Sequence, residues 1–218
     1  MSITLSTGVT LDVAKVYATA LAFTAATNSS EVTLTTSGST LAAGDYVEVN
    51  VSSWGLLDKR LARVKTGSTA TSVILEGINT SDQNKYPGAS TTSGTLRKVT
   101  TWSQITQVKG LSASGGEQQF ADITSITDVV ARQMPTIRGA VSMTVDVYDD
   151  PALAWYADVN TADEARIPYG LKLNFPNGSK LVANAYWSLM KIPTMSQNEA
   201  LMTQITLSYA AEPVRYAS

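Results

Sequence analysis

Asp149 and Asp150 form the most site-like carboxylate pair in this 218-residue chain. Adjacent carboxylates can hold a hard cation, or divide into the acid and base of a hydrolase. The stronger reading is structural: a carboxylate caps the first N–H groups of a helix, and Pro151 suits the first helical turn. Asp163-Glu164 reads as a solvated turn just past that helix. Gly115-Gly116 lacks the strand–loop–helix setting and downstream Lys-Ser/Thr of a phosphate cradle, and reads as a hinge. Trp54, Trp102, Trp155 and Trp187 could stack on a sugar, but they lie in different elements, which favours burial in cores or interfaces. Lys59, Arg60, Arg63 and Lys65 could touch phosphate. Glu48, Asp58 and Glu76 lie near them in sequence, so a mixed, solvated rim is favoured.

The chain has neither histidine nor cysteine. That excludes disulfides, thiolate nucleophiles, the usual nitrogen–sulfur zinc sites and every His-based triad. No enzyme signature survives, and no catalytic residue, cofactor or metal is expected. The formal net charge of -2 argues against a basic nucleic-acid-binding face. Acid is concentrated late: residues 1–100 hold 8 Lys/Arg and 7 Asp/Glu, and residues 101–218 hold 8 and 11. The opening "MSITLSTGVTLDVAKVYA" lacks a basic stretch followed by a long apolar run, and no membrane span is visible, so a soluble protein made in a cytoplasm is expected.

Periodicity gives the elements that must position these residues. A strand is expected at Val13 to Ala18. Residues 20–100 are rich in Thr, Ser, Gly and Val. They carry five short strands at 31–37, 45–53, 61–67, 72–77 and 94–99, punctuated by turn residues, which points to a small SH3-like or OB-like barrel. "TWSQITQVKG" (101–110) reads as another strand. Residues 111–136 form a long excursion with partial strand character, broken by Gly115-Gly116 and ended by Pro135; such excursions are commonly functional. Residues 137–149 alternate Val141, Met143, Val145 and Val147 against Ser142, Thr144, Asp146 and Tyr148. Ala152, Trp155, Tyr156 and Val159 then fall at helical spacing, so a three-turn amphipathic helix is expected over about 150–160.

"GLKLNFPNGSKLVANAYWSLM" (170–190) is a hairpin: two period-two strands around Pro176-Asn177-Gly178. Its second strand carries bulky residues on both faces, more than one small domain covers. A last strand follows in 199–213. The expected fold class is mainly β: an antiparallel β-sandwich or partial barrel with one α-helix, plus a small inserted β-barrel module. Residues 1–19 and 101–218 are assigned to the core and 20–100 to the insert.

The succession "QITQVKGLSASGGEQQF", a valine-rich strand, "DDPALAWY" and "LKLNFPNGSKLVANAYWSLMKIPTMSQNEALMTQITLSYAAEP" resembles the tail tube proteins of long-tailed bacteriophages, the lambda type in particular. The resemblance covers roughly residues 101–213. It implies a non-enzymatic virion protein, made in the host cytoplasm, in which six copies close a ring and rings stack into a DNA-conducting tube. The implied partners are its own copies and other tail proteins: tape measure, tail terminator, and baseplate or tip. DNA passes without specific binding, and no membrane is involved. If each subunit gives about four strands, a ring of about 24 at ~4.8 Å spacing and ~40° tilt has a backbone diameter near ~48 Å and a bore of roughly 35–40 Å. The family's lumen is typically acidic, which makes Glu117, Asp122 and Asp146 the candidate lumen-facing residues. The excursion matches the loop that reaches the adjoining ring, with Gly115, Gly116, Phe120 and Ile123 as its stacking residues. Residues 20–100 depart from the family by their length and read as a module on the tube exterior. The alternative is a carbohydrate-binding or adhesin-type β-sandwich.

Overall fold

A computed structural model describes residues 7–195 and 197–217. In chain order, β1 (Thr10–Tyr17) leads into β2 (Leu21–Ala26), β3 (Thr33–Thr36), β4 (Tyr46–Asn50), β5 (Leu61–Arg63) and β6 (Ser72–Ile74). Then come β7 (Gly94–Ile105), β8 (Val108–Gly115), β9 (Gln118–Asp122), β10 (Gln133–Arg138) and β11 (Val141–Tyr148). Helix α1 (Ala154–Ala165) precedes β12 (Tyr169–Asn174), β13 (Lys180–Leu189), β14 (Met202–Tyr209) and β15 (Val214–Tyr216). Every strand pairing is antiparallel. The protein is mainly β with one α-helix, as the alternation implies.

Six strands in the order β1-β12-β13-β14-β11-β8 form the main sheet. Its apolar positions gather Leu11, Val13, Leu171, Val145, Ile205 and Leu207 into one core, closed by Trp155, Val159 and Ala162 of α1. These three helical residues recur at i, i+4 and i+7, so one stripe of α1 lies on β13, β7 and β1. Truncating a tryptophan buried like Trp155 typically costs about 3–5 kcal/mol. The helix starts later than its spacing implies. Asp150 Oδ1 accepts the Ala152 N–H at 3.1 Å and the Leu153 N–H bonds back to the Asp150 carbonyl, so Pro151 and Ala152 belong to a turn. Leu153 is the N-cap and brings no side-chain bond. Asp163 and Glu164, expected just beyond the helix, are part of its last turn.

The smaller lobe has its own core, with Phe23, Leu34, Val47, Val49, Trp54, Val73 and Leu96 at its centre. Its strands run β6-β3-β2-β7-β4-β5, and a single bridge, Val64 to Leu75, draws the two ends together. β2 is the strand that periodicity misses. "LAFTAA" has no clear alternation, and it is extended because it pairs with β7 on one side and β3 on the other. The strand expected at 101–110 is in fact the second half of β7 plus the start of β8. β7 pairs with β2 and β4 through its first half and with β1 through its second, so one continuous strand serves both lobes.

A third apolar cluster joins the lobes: Ala14, Tyr46, Leu61, Val99, Val182, Val214 and Tyr216. It covers the first half of the second face of β13, at Val182 and Asn184, and leaves Tyr186 and Ser188 exposed. Val182 lies in this cluster, and Asn184, fully buried, donates to the Lys59 carbonyl at 2.8 Å. Gly170 suits this joint, because a Cβ would come within 3.1 Å of Ala14 Cβ and 3.4 Å of Leu61 and Trp102, and those neighbours would have to give way by a few tenths of an ångström. Tyr216 acts as a clasp. Its hydroxyl accepts the Arg63 N–H at 2.8 Å and donates to the Glu76 carbonyl at 3.3 Å, while the Arg63 guanidinium lies 4.5 Å from the ring centroid.

Candidate functional site

The residues singled out for chemistry are occupied with structure. Arg63 pairs with both oxygens of Glu76 at 2.7 Å, which holds the Glu76 carboxyl below its usual range. Lys65 pairs with Glu31, Lys59 with Asn50, and Arg60 lies 3.7 Å from Glu212. These four cations are therefore spent within or between the lobes, as a mixed rim requires. Trp54, Trp155 and Trp187 are buried, in two different cores. Trp102 lies in the third cluster, where the Lys172 ammonium sits 4.4 Å from its ring centroid. No aromatic platform forms. Asp150 closes its turn, and among the described residues no three acidic, histidine or cysteine side chains gather as metal ligands.

What the main sheet leaves open is a surface. β11 and its neighbours alternate strictly, so the face away from the core is set by register. One row runs Ser114, Ser142, Ser208, Tyr186; the next runs Ser112, Thr144, Thr206, Ser188. A third joins Gly110, Asp146 and Gln204, with Gln204 Nε2 donating to Asp146 Oδ1 at 3.1 Å. Across these rows Asp146 is the one charged residue. The strip is hydroxyl-rich and nearly neutral. Hydroxyls and a single carboxylate offer a polyanion little to grip, and the nearest cation, Lys109, lies at the end of the strip with its ammonium 3.4 Å from Met202 Sδ.

The strip ends at an open edge. β8 pairs only with β11, so its outer N–H and C=O groups have no strand partner among the described residues. Nothing but Lys109 marks it with charge. An edge so lightly protected is a template for another strand.

From that edge projects an arm. β9 and β10 pair as a separate two-stranded sheet, Asp122 opposite Gln133, Ala121 opposite Met134 and Phe120 opposite Pro135. The excursion expected over 111–136 thus starts too early: residues 111–115 complete β8 in the main sheet, paired with β11, and the partial strand character beyond them is a hairpin with its own ladder, ending at Arg138. Gly115 and Gly116 both have positive φ, and the chain turns out of the main sheet there. At the tip the Asp122 carboxylate accepts both the hydroxyl and the backbone N–H of Thr124, which lowers its pKa. Phe120, Ile123, Ile126, Val129, Val130, Met134 and Ile137 are all exposed; Ile126 and Val129 are wholly so, at 104% and 100%. Two-stranded hairpins alone are marginal in water, and an exposed apolar patch of this kind marks an interaction surface.

Of the residues expected from sequence, Gly115, Gly116, Phe120 and Ile123 lie together on or at the base of the arm. The three proposed lumen carboxylates are not brought together. Asp146 is on the strip, whereas Glu117 and Asp122 belong to the arm. Sequence reasoning missed the loop 190–201, where Met190, Ile192, Met195 and Leu201 are exposed. Its one signal was "MKIPTM", apolar residues in a segment without strand alternation.

Two kinds of comparison bear on this surface. A model of the family described as "Phage tail tube protein, TTP" matches residues 52–218. No curated protein matches the chain. Among solved structures, a chain of the anti-feeding prophage baseplate, 6-fold symmetrised, is similar at 10% identity and a TM-score of 0.37, covering 54% of this chain and 85% of that one. A chain of the anti-feeding prophage tube-terminating cap is similar at 18% identity and a TM-score of 0.35, covering 53% and 83% respectively. Scores this low leave the structural likeness without weight, and the family match stands by itself.

Proposed function

Because the chain belongs to the phage tail tube protein family, we propose that it is the repeating, non-catalytic subunit of a DNA-conducting tube, six copies to a ring and rings stacked end to end. The observation that carries this is the pairing of a hydroxyl-rich strip with an open edge strand on one sheet. β13, β14, β11 and β8 are four strands, the number each subunit must give for a ring of about 24 and a bore wide enough for a duplex. Lateral pairing at β8 closes the sheet and removes its edge. The strip then lines the bore, where hydroxyls and a lone carboxylate, Asp146, let DNA slide. The arm carries Phe120 and Ile123 beyond the rim and serves stacking. In this reading residues 20–100 are an inserted module on the outside of the tube, held by the Tyr216 clasp. The resemblance of residues 101–213 to the lambda type favours a long non-contractile tail, in a virion where tape measure, terminator and tip or baseplate proteins meet the tube.

The test is electron microscopy of the purified protein over a wide concentration range, beside an Ala113→Pro variant that takes one outward N–H from the β8 edge, opposite Met143. Rings and stacked tubes with a central channel are expected from the natural chain, and far fewer from the variant. A monomer at every concentration overturns the proposal.

A further inference from the structure

We propose that Met190, Ile192, Met195 and Leu201, exposed between β13 and β14, are the seat on which the arm of a second copy of this chain docks; this deepens the tube reading and rests on it. The two segments sit at opposite ends of the same strands. The arm joins the end of β8 to the start of β11, at the level of Gly115 and Val141. The loop joins the end of β13 to the start of β14, where Met202 stands opposite Tyr148. The eight residues of β11 separate them by roughly 25 Å at ~3.3 Å per residue.

Exposed apolar side chains concentrate in these two places. Seven belong to the arm, and Met190, Ile192, Met195 and Leu201 belong to the loop, with Tyr148 beside it. The arm's seven present on the order of 900 Å² to solvent, about what one partner contributes to a standard interface of roughly 800 Å² per side. None of the described residues covers either surface, and the hairpin strands alone do not stabilise the arm. The charges agree with an apolar joint: between Ile123 and Ala131 the arm tip carries only Asp128, whose carboxylate is already bound by the Ser125 N–H and Arg132.

The seat also has a suitable chemistry. Met190, Met195 and Met202 are three of the chain's six methionines, and unbranched thioethers adapt to an irregular apolar guest. A contact between two different patches of one chain is heterologous. When the patches lie at opposite ends it does not close, and it repeats as a filament. Arm-on-seat docking thus gives the stack its polarity, each copy offering an arm at one end and a methionine-lined seat at the other.

The chain has no cysteine, so introduced thiols report without background. Ile126→Cys and Ile192→Cys, combined in one chain and oxidised after assembly, should yield a covalent ladder of many chains. Ile126→Cys combined with Leu56→Cys, an exposed position on the small lobe, should not. Ile192→Asp should leave thermal unfolding unchanged and abolish tubes while sparing single rings. Tubes that form normally in Ile192→Asp, with no ladder from the 126/192 pair, would overturn this inference and leave the tube reading intact. Failure of the natural chain to form rings or tubes would overturn both.

Discussion

Replacing Gly115 by alanine tests the arm at its root. Gly115 is the last residue of β8, paired with Val141, and its φ is 84°. An added Cβ would lie 1.9 Å from the Ala140 carbonyl oxygen, a distance no structure sustains. Holding an L-residue at positive φ costs about 1–2 kcal/mol, and relieving the clash gives up one or two ladder hydrogen bonds, each worth about 0.5–1.5 kcal/mol. The strain of roughly 2–4 kcal/mol is relieved by opening the last rung of β8 and β11, which turns the arm aside without touching the core. If docking requires the original direction, the critical concentration for tube growth rises roughly 30- to 1000-fold, at 1.4 kcal/mol per tenfold. The melting temperature should fall by roughly 4–16 °C at most, since 1 kcal/mol is about 2–4 °C at this size, and the chain stays folded. Gly116→Ala is the comparison: its Cβ would meet only the tip of Val141 at 3.1 Å, so it should act less. Light scattering against concentration gives the growth threshold, and circular dichroism gives the melt. An unchanged threshold in Gly115→Ala would refute the idea that arm direction controls assembly.

Two further outcomes concern the joint between the lobes. Arg97→Ala should destabilise the protein by about 3–5 kcal/mol in chemical denaturation, because it strands the Glu48 carboxylate, 2% exposed and paired to Arg97 at 2.6 Å. It also takes the guanidinium from the Tyr17 ring, 4.1 Å away; a change under 1 kcal/mol would show that Glu48 reaches water. Alkaline stability should depend on Tyr216, whose phenol burial pushes up to about 12 from 10.0. The folded pKa exceeds the unfolded one, so this contribution, about 3 kcal/mol, is complete below pH 10 and lost as pH rises towards 12. Tyr216→Phe should make the loss of stability over that interval shallower when followed by denaturant midpoints, the burial-raised phenols of Tyr17, Tyr46 and Tyr209 supplying the rest, and an unaltered profile would exclude the clasp as a contributor.

Much of the fold was legible because one face of each long strand is apolar. Val145 and Val147, or Ala183, Ala185 and Trp187, announce their own face by period two, and Pro176-Asn177-Gly178 announces the turn. β2 was not legible, since "LAFTAA" is extended only through the partners on its two sides. The helix start was misplaced for a local reason: Asp150 prefers to bind the Ala152 N–H within a turn, and pattern alone does not distinguish this from capping. On the surface, Phe120 and Ile123 stood out as apolar residues beside glycines. Glu117 and Asp122 were grouped with Asp146 by charge, but sharing a face depends on register, and register puts only Asp146 beside Ser112, Thr144 and Thr206. The exposed side chains between β13 and β14 were missed because "MKIPTM" signals apolar residues outside a strand but not their exposure, which is decided by what fails to cover them.

The second face of β13 shows how assembly surface is apportioned. Val182 and Asn184 meet the small lobe, while Tyr186 and Ser188, further along the same strand, stay open and continue the polar strip. One strand thus changes duty along its length, from an intramolecular joint to an outward wall. The small lobe stops the sheet from pairing at random by covering one half of this face, and it leaves uncovered the half that is hydroxyl-rich and the edge beside it. What remains sticky after the chain has covered itself is the β8 backbone, the arm and the loop at the far end. These point in different directions, sideways for the edge and along the strands for the other two. That division fits the proposed stacked ring, in which backbone hydrogen bonds would specify the neighbour within a layer and apolar side chains the layer above.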